Sequence, residues 1–427
     1  MTPEIKQRIQ QIRQGKTPKG YKKTIAGIIP NEWMEIALSS LLEFKNGYNT
    51  EKDNYGKGVK LISIKDILKD KPIYYDSIIG SVTISNEQLK EFAVNYGDIL
   101  FQRSSETYED AGTSNVYLDK EKVASFSGFV IRGRKIANYN PICLNSILRL
   151  GKIRNSIIRK AAGAQHINIG QEALSKVQIP LPPLPEQTAI AEILSTQDRV
   201  IELKEHLLAE KKRQKKYLMQ QLLTGKKRLK GFKGEWKRCK LGEISHYVNI
   251  HGDGCVCNYV TTENIKPDLI GEVAFEEGNR KVSGINYLEN DILIANIRPY
   301  LRKIWKSNKS GVCSTDVLVI RSDSVIVDYL YFALANDDFF DYVMKSAKGS
   351  KMPRGDKEHI MNRMIYVPDS LPEQTAIAEI LSTADREIGL IGQLIEAEKR
   401  KKKSLMQLLL TGIVRVGGMT ERLPGAS

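Results

Sequence analysis

LPEQTAIAEILST occurs twice, at Leu184–Thr196 and again at Leu371–Thr383, an offset of 371 − 184 = 187 residues. The match continues without a gap to Gly225 and Gly412, and 29 of the 42 aligned positions are identical. A period this long marks a duplicated half-molecule, because solenoids stack far shorter units on their neighbours. Each copy predicts one long helix. Pro185 and Pro372 fall where a first-turn proline is tolerated, Glu186 and Glu373 follow in the turn that favours negative charge, and Gly225 and Gly412 are natural stops.

In the second copy the apolar positions step by four and three through Ile377, Leu381, Ala384, Ile388, Ile391 and Ile395, then resume at Leu405 and Leu409 after polar Glu398 and Lys402. The first copy keeps Ile190, Leu194, Ile201, Leu208, Leu218 and Leu222 in the same register, with Gln197, Lys204, Lys211 and Lys215 between them. This is a coiled-coil seam with polar interruptions. Such a stripe needs a partner, most simply the other copy, and antiparallel pairing of two equivalent helices gives a pseudo-two-fold molecule. From Thr188 to Thr224, at about 1.5 Å per residue, the rod spans roughly 55 Å.

Composition sets outer limits. A chain of 427 residues has room for two or three domains, and 41% apolar with 27% charged residues is ordinary for a globular protein. The net charge of +15 is not ordinary. It favours polyanions, nucleic acid before anionic membrane. No apolar run is long enough to cross a bilayer and the start, MTPEIKQRIQ, lacks a signal peptide's apolar core, so a cytoplasmic protein without a membrane partner is expected. Five sparse cysteines predict reduced thiols.

The chain then divides into an N-terminal helix and lead-in (1–30), a first globular region (31–183), a first helical spacer (184–226), a linker with a second globular region (227–370), a second helical spacer (371–412) and a C-terminal tail (413–427). In the N-terminal helix Ile5, Ile9 and Ile12 are separated by basic residues, and IQQIRQGK (Ile9–Lys16) echoes MQQLLTGK (Met219–Lys226). Either it is a remnant of the repeat that packs at the far end of the rod, or the echo is chance over eight residues.

The two globular regions are diverged copies with four landmarks in matching order. Asn31-Glu32-Trp33 matches Gly234-Glu235-Trp236, LISIKDI (Leu61–Ile67) matches YVTTENI (Tyr259–Ile265), Asp98-Ile99-Leu100 matches Asp291-Ile292-Leu293, and SFSGFVIR (Ser125–Arg132) matches STDVLVIR (Ser314–Arg321). These strings are short, β-branched and bounded by turn residues, so they read as strands, with helices at Ile153–Ala162 and Tyr329–Ser346 beside them. The fold class is α+β: two mixed α/β domains on curved sheets, separated by two long helices in an antiparallel coiled coil.

Two scaffolds that agree carry loops that do not. GAQHINIG (Gly163–Gly170) and GSKMPRGD (Gly349–Asp356) occupy equivalent places and share almost nothing, which points to two binding sites of different specificity. The candidate base-contacting residues are Gln102, Arg103 and Ser104 after one Asp-Ile-Leu strand, Asn296, Arg298 and Tyr300 after the other, and Gln165, His166, Asn168, Lys351 and Arg354 in the late loops. Arg suits guanine, Asn and Gln suit adenine. The same residue types are also common in plain loops and against phosphates. Lys215, Lys216, Lys226, Lys227, Lys402 and Lys403, near the helix ends, are candidate phosphate contacts. A charged run of this kind is equally a solvated helix face.

Several chemistries are missing. There is no GxxxxGK[ST] phosphate loop, no glycine-rich strand-to-helix turn followed by an acid, and no aromatic Asn-Pro-Pro pocket; the prolines of IPLPPLPEQ (Ile179–Gln187) only end a domain. His251, Cys255 and Cys257 lack a fourth ligand at zinc-finger spacing, so no metal site is assigned. No catalysis by the chain alone is expected.

The doubled LPEQTAIAEILST, the Trp-containing openings, the Asp-Ile-Leu strings and the proline-flanked Glu-Gln resemble, over almost the whole chain, the specificity subunit of type I restriction-modification enzymes. The resemblance implies two target recognition domains, each reading one half of a split site in double-stranded DNA, with the repeated helices as the spacer. It implies two modification subunits that bind S-adenosylmethionine and methylate adenine, and restriction subunits that translocate and cleave DNA. S-adenosylmethionine, ATP and Mg are then expected on those partners and no cofactor on this chain. The competing readings are a non-catalytic specificity module of another DNA-modification system, a nuclease or methyltransferase acting alone, and a coiled-coil scaffold whose basic charge is incidental.

Overall fold

Two helices of 39 residues, Leu184–Leu222 and Leu371–Leu409, stand where the repeat predicts them. Each ends in a turn closed by a glycine in the left-handed region, Gly225 at φ +70° and Gly412 at φ +69°, a conformation that L side chains rarely adopt. The computed structural model describes residues 2–49, 51–163 and 165–416; the part of the tail beyond residue 416 lies outside the described residues. The chain forms two units. One runs to Leu203 and resumes at Ile395; the other is Lys204–Leu394. Each unit therefore holds the first part of one long helix and the last part of the other.

Within each unit the helix halves run antiparallel and pack along the expected seam. In the first unit Ile190, Leu194, Ile201, Ile395 and Leu409 are buried, and in the second Leu222, Ile377 and Leu381 are. One pair of polar interruptions meets directly, and the interrupting lysines find acids of the facing helix. Gln197 Nε2 donates to Glu398 Oε2 at 2.8 Å and Lys402 pairs with Asp198 at 2.5 Å in the first unit; Lys211 pairs with Glu387 at 2.7 Å and Lys215 with Asp385 at 2.5 Å in the second. A polar residue facing a polar residue fixes register at some cost in stability.

The Glu-Gln of the repeat anchors each helix to its domain. Gln187 accepts from Asn140 N at 2.9 Å and donates to Pro182 O at 2.8 Å, and Gln374 does the same with Ile326 N and Pro368 O, both at 2.8 Å. Glu186 is buried, accepts the Trp33 indole N–H at 2.9 Å and faces Arg415 in two parallel bonds of 2.7 and 2.9 Å. Glu373 is buried, lies 3.4 Å from the Trp236 indole and holds Arg228 at 3.1 and 2.6 Å. Each arginine stands three residues beyond the glycine of the other helix. A Cβ on Gly225 or Gly412 would press on the Trp236 or Trp33 ring at 3.3 Å, so the glycine, tryptophan, glutamate and arginine form one closed joint. The N-terminal helix, Pro3–Arg13, packs there too. Ile5 is buried in the cluster that contains Leu409 and Leu410, and Tyr21 Oη donates to Gly412 O at 2.6 Å.

Each domain is built on a four-stranded antiparallel sheet with the same strand order. In the first unit it is Leu42–Asn46, Val130–Lys135, Ile99–Gln102, Ser114–Val116; in the second it is Ser245–Tyr247, Val317–Ser322, Ile292–Ala295, Ile304–Lys306. The central strands are buried on both faces. Ile292, Ile294, Leu318 and Ile320 enter the core shared with the helices, while Leu293, Ala295, Val317 and Val319 enter a second core with residues of a second four-stranded sheet. Ile99, Phe101 and Ile131 divide from Leu100 and Val130 in the same way. This alternation is the two-residue period of a strand.

Four expectations need correction. Tyr329–Ser346 is two helices, Val327–Leu334 and Asp337–Lys345, broken where Asn336 caps the second by accepting from Phe339 N at 2.9 Å. LISIKDI is a strand only through Ile62; Ser63 and Asp66 then form a capping box over a short helix. The register places Ile99 opposite Gly133 and Ile292 opposite Ile320, so Arg321 corresponds to Arg134 and not to Arg132, a slip of two. Cys255 and Cys257 are bonded as a disulfide, while Cys143, Cys239 and Cys313 are free.

Candidate nucleic-acid interface

The loops that the sequence singles out separately converge in each unit. In the first, Ser104–Ser105 pairs antiparallel with Ile167–Asn168, and Ile169 N donates to Arg103 O at 3.0 Å. In the second, Ile297 bridges Arg354, Gly355 N donates to Asn296 O at 3.2 Å, and Arg298 N donates to Pro353 O at 2.8 Å. A third segment joins both. Arg103 N donates to Phe129 O at 2.9 Å and Asn296 N to Asp316 O at 2.8 Å, so the turn between the fourth landmark's strands lies on the other side of the reading loop. The same backbone ladder thus runs Phe129, Arg103, Ile169 in one unit and Asp316, Asn296, Gly355 in the other.

The side chains on this ladder differ in presentation. In the late loop of the first unit Ile167 and Ile169 are buried, while Gln165, His166 and Asn168 are exposed. Ser104 Oγ donates to Asn168 Oδ1 at 2.5 Å and Asn168 Nδ2 to His166 O at 3.1 Å, which fixes the amide edge. Arg103 is half-buried, its guanidinium 3.4 Å from Gly128 O. Gln102 is buried; its amide donates inward to Ser104 O at 3.0 Å, and its Oε1 has no protein partner.

In the second unit Arg298, Tyr300, Lys351 and Arg354 are exposed. Arg298 adopts φ +54° and Arg302 φ +51°, on either side of the short turn Pro299–Leu301 that carries Tyr300. A left-handed arginine is held by surrounding bonds rather than by preference. Arg354 pairs with Asp316 at 2.9 Å, which orients its guanidinium. Asn296 is half-buried and its Oδ1 is a buried acceptor with no protein partner. Of the candidate phosphate contacts, Lys215 and Lys402 are committed to the seam pairs, Lys216 is exposed and pairs with Asp337 at 2.6 Å, and Lys226, Lys227 and Lys403 are exposed.

Sequence reasoning missed Phe129 and Asp316. Their signal was available, since both sit in the Gly/Ser/Thr turn that leads into the strand paired with Asp-Ile-Leu.

A family model for the type I restriction modification DNA specificity domain matches residues 30–213 and again 233–399. The chain belongs to that specificity family. The two matches reproduce the duplication and cover both candidate interfaces. A putative type I restriction enzyme MjaX specificity subunit of Methanocaldococcus jannaschii is 29% identical over 93% of this chain and 97% of its own length. The type I restriction enzyme MjaVIII specificity subunit of the same organism is 25% identical over 91% and 94%. Among solved structures, a type I restriction-modification S subunit from M. genitalium superposes with a TM-score of 0.52 at 15% identity, over 88% of this chain and 96% of that one. A chain from work on complex assembly and conformational transition of the type I restriction-modification system superposes with a TM-score of 0.56 at 16% identity, over 90% and 99%. At those identities the likeness speaks to the fold: two specificity domains with long packed helices. No helix among the described residues is long and apolar enough to cross a membrane.

Proposed function

We propose that this specificity subunit reads a bipartite duplex, one half-site per unit, through the paired loops just described, and that it has no catalytic activity of its own. One observation carries the reading. The same hydrogen-bonded ladder is kept in both units while the side chains on it are replaced, Arg103, Ser104 and Asn168 in one and Asn296, Arg298 and Arg354 in the other. A frame that is conserved between copies with substituents that are not is what two readers of different sequences require. Side chains on base edges specify, while exposed Lys226, Lys227 and Lys403 suit phosphates and hold without specifying.

The two long helices serve as spacer and as part of the docking surface for two modification subunits, which restriction subunits join. S-adenosylmethionine, ATP and Mg belong to the chemistry of those partners. Cytoplasmic DNA is the substrate.

The test is to co-express the chain with the modification subunit of its own operon and map methylated adenines across the host genome. A split motif is expected, and exchanging Gly349–Asp356 should change one half of it and leave the other. Methylation at an unsplit motif, or a change in both halves, overturns independent readers. An assembled complex that methylates nothing and binds all duplexes equally favours the scaffold.

A further inference from the structure

The turn between Ser125–Phe126 and Val130–Lys135 carries Phe129, which is 61% exposed. The turn is held on every side. Val130 N donates to Ser127 O at 2.9 Å, Gly47 N to Val130 O at 3.0 Å, Tyr48 N to Phe126 O at 2.9 Å, and Arg103 N to the carbonyl of Phe129 itself at 2.9 Å. Gly128 lies so close to the Asn49 side chain that a Cβ there would overlap it. The backbone under the ring is therefore fixed, and a phenyl group with two rotatable bonds loses little freedom when it docks.

Single exposed apolar residues are ordinary and need no function. Ile25 at 80% and Ile79 at 85% are of that kind, the first in the turn closed by Thr24 and Gly27, the second in the segment before Ser81–Val82. Phe129 differs by its place, one hydrogen bond from Arg103 on the ladder that continues to Ile169. At the equivalent place in the second unit stands Asp316, whose carboxylate orients Arg354. That position is part of the reading surface in both units, polar in one and apolar in the other.

We propose that Phe129 is a specificity-determining residue of the first unit, selecting the 5-methyl group of a thymine in the half-site that this unit reads. An apolar side chain in the major groove distinguishes thymine by that methyl alone, because the methyl is the one apolar group any base edge presents there. The inference rests on the half-site reading proposed above.

The test uses the complex with its modification subunits and duplexes carrying the mapped target. Thymines of the first half-site are replaced one at a time by deoxyuridine, which lacks only the 5-methyl. One replacement should weaken binding about four-fold, the factor for one buried methyl-sized group. Phe129→Ala should bind the thymine and uracil duplexes alike, and Phe129→Leu should keep part of the preference; both should melt like the parent chain. The methyl assignment is overturned if no uracil in the first half-site matters, or if the preference survives in Phe129→Ala. A ring wedged between base pairs would weaken every duplex alike on Phe129→Ala and leave the uracil effect intact, which also overturns it. If a scrambled first half-site binds as well as the mapped one, the half-site reading itself fails, an outcome visible before any uracil is introduced.

Discussion

In the first unit the Trp33 indole is fully buried and donates to Glu186 at 2.9 Å, and Arg415 reaches both Glu186 and Glu32; in the second, Trp236 is half-buried, lies 3.4 Å from Glu373, and Arg228 divides itself between Glu373 and Gly234 O. The two joints are the same design with the indole at different depths, the carboxylates being buried and the arginines equally exposed in both. What they teach is where duplication preserves identity. Buried carboxylates that need an arginine and an indole cannot drift separately, so the glutamate, the tryptophan and the glycine stay in both copies. Loops that face solvent carry no such mutual requirement and have diverged almost completely.

The largest effect should come from removing the carboxylate. Glu186→Ala leaves Arg415 and Trp33 without their buried partner and should cost about 3 kcal/mol, the low end for breaking a buried pair because Arg415 keeps Glu32. Glu373→Ala should cost about 2 kcal/mol, since Arg228 is no more exposed than Arg415 but the half-buried Trp236 N–H, unlike that of Trp33, reaches water and can rehydrate. Urea unfolding followed by circular dichroism reads each loss against the parent chain, with all three tryptophans left in place because Trp33 and Trp236 are themselves part of the joints. Equal losses, or a greater loss for Glu373→Ala, would break the ranking by depth.

A smaller effect of opposite sign tests the helices. Gly389 and Gly392 lie inside the second long helix where the first has Glu202 and Glu205, and a Cβ at either meets nothing within 4 Å. Each glycine costs about 1 kcal/mol relative to alanine in a helix interior. Gly389→Ala and Gly392→Ala should each stabilise by about that amount, additively if the sites are independent, read as a shift in the urea midpoint of the second unit. No gain from either would mean that the helix is not the limiting element of that unit.

The helices, the seam and the α+β class were legible because a thirteen-residue repeat and a period near 3.5 are strong signals carried by many residues at once. The reading loops were legible as candidates but not as one surface: nothing local in Ser104 or Asn168 announces that the two pair across 64 residues of chain. The joint was half legible. Glu-Gln after proline marked a helix start, while its partner Arg415 lies 229 residues away. The two-residue slip that aligned Arg132 with Arg321 was invisible in principle, because a shift of two keeps every strand side chain on its own face. Similarly, a run of lysines does not say which of them face the seam. Lys215 and Lys402 occupy equivalent positions in the repeat, and both are drawn into it by Asp385 and Asp198.

The smallest effect separates the Asp of the two Asp-Ile-Leu strands. Asp291 is gripped by Arg321 in two bonds of 2.8 Å. Asp98 is as deeply buried, but Arg134 Nε stands 3.3 Å away without hydrogen-bond alignment and that guanidinium also donates to Ala93 O, as does Arg132. Burial therefore prevails and raises the Asp98 carboxyl above its ordinary value of 3.8, against the pull of Asn95 N, Arg134, Lys135 N and Arg132. The sign follows from linkage. The folded chain holds the proton more tightly than the unfolded chain, so the stability contributed by Asp98 is fully present below the unfolded value and is lost as pH rises through the folded one. Stability of the first unit should accordingly carry a downward component between about pH 4 and the folded value that Asp98→Asn removes, measured as the pH dependence of the difference in urea midpoint between the two proteins. A difference that is flat, or that grows in the opposite direction, would show that Arg134 and Arg132 outweigh burial and that the two aspartates are held alike.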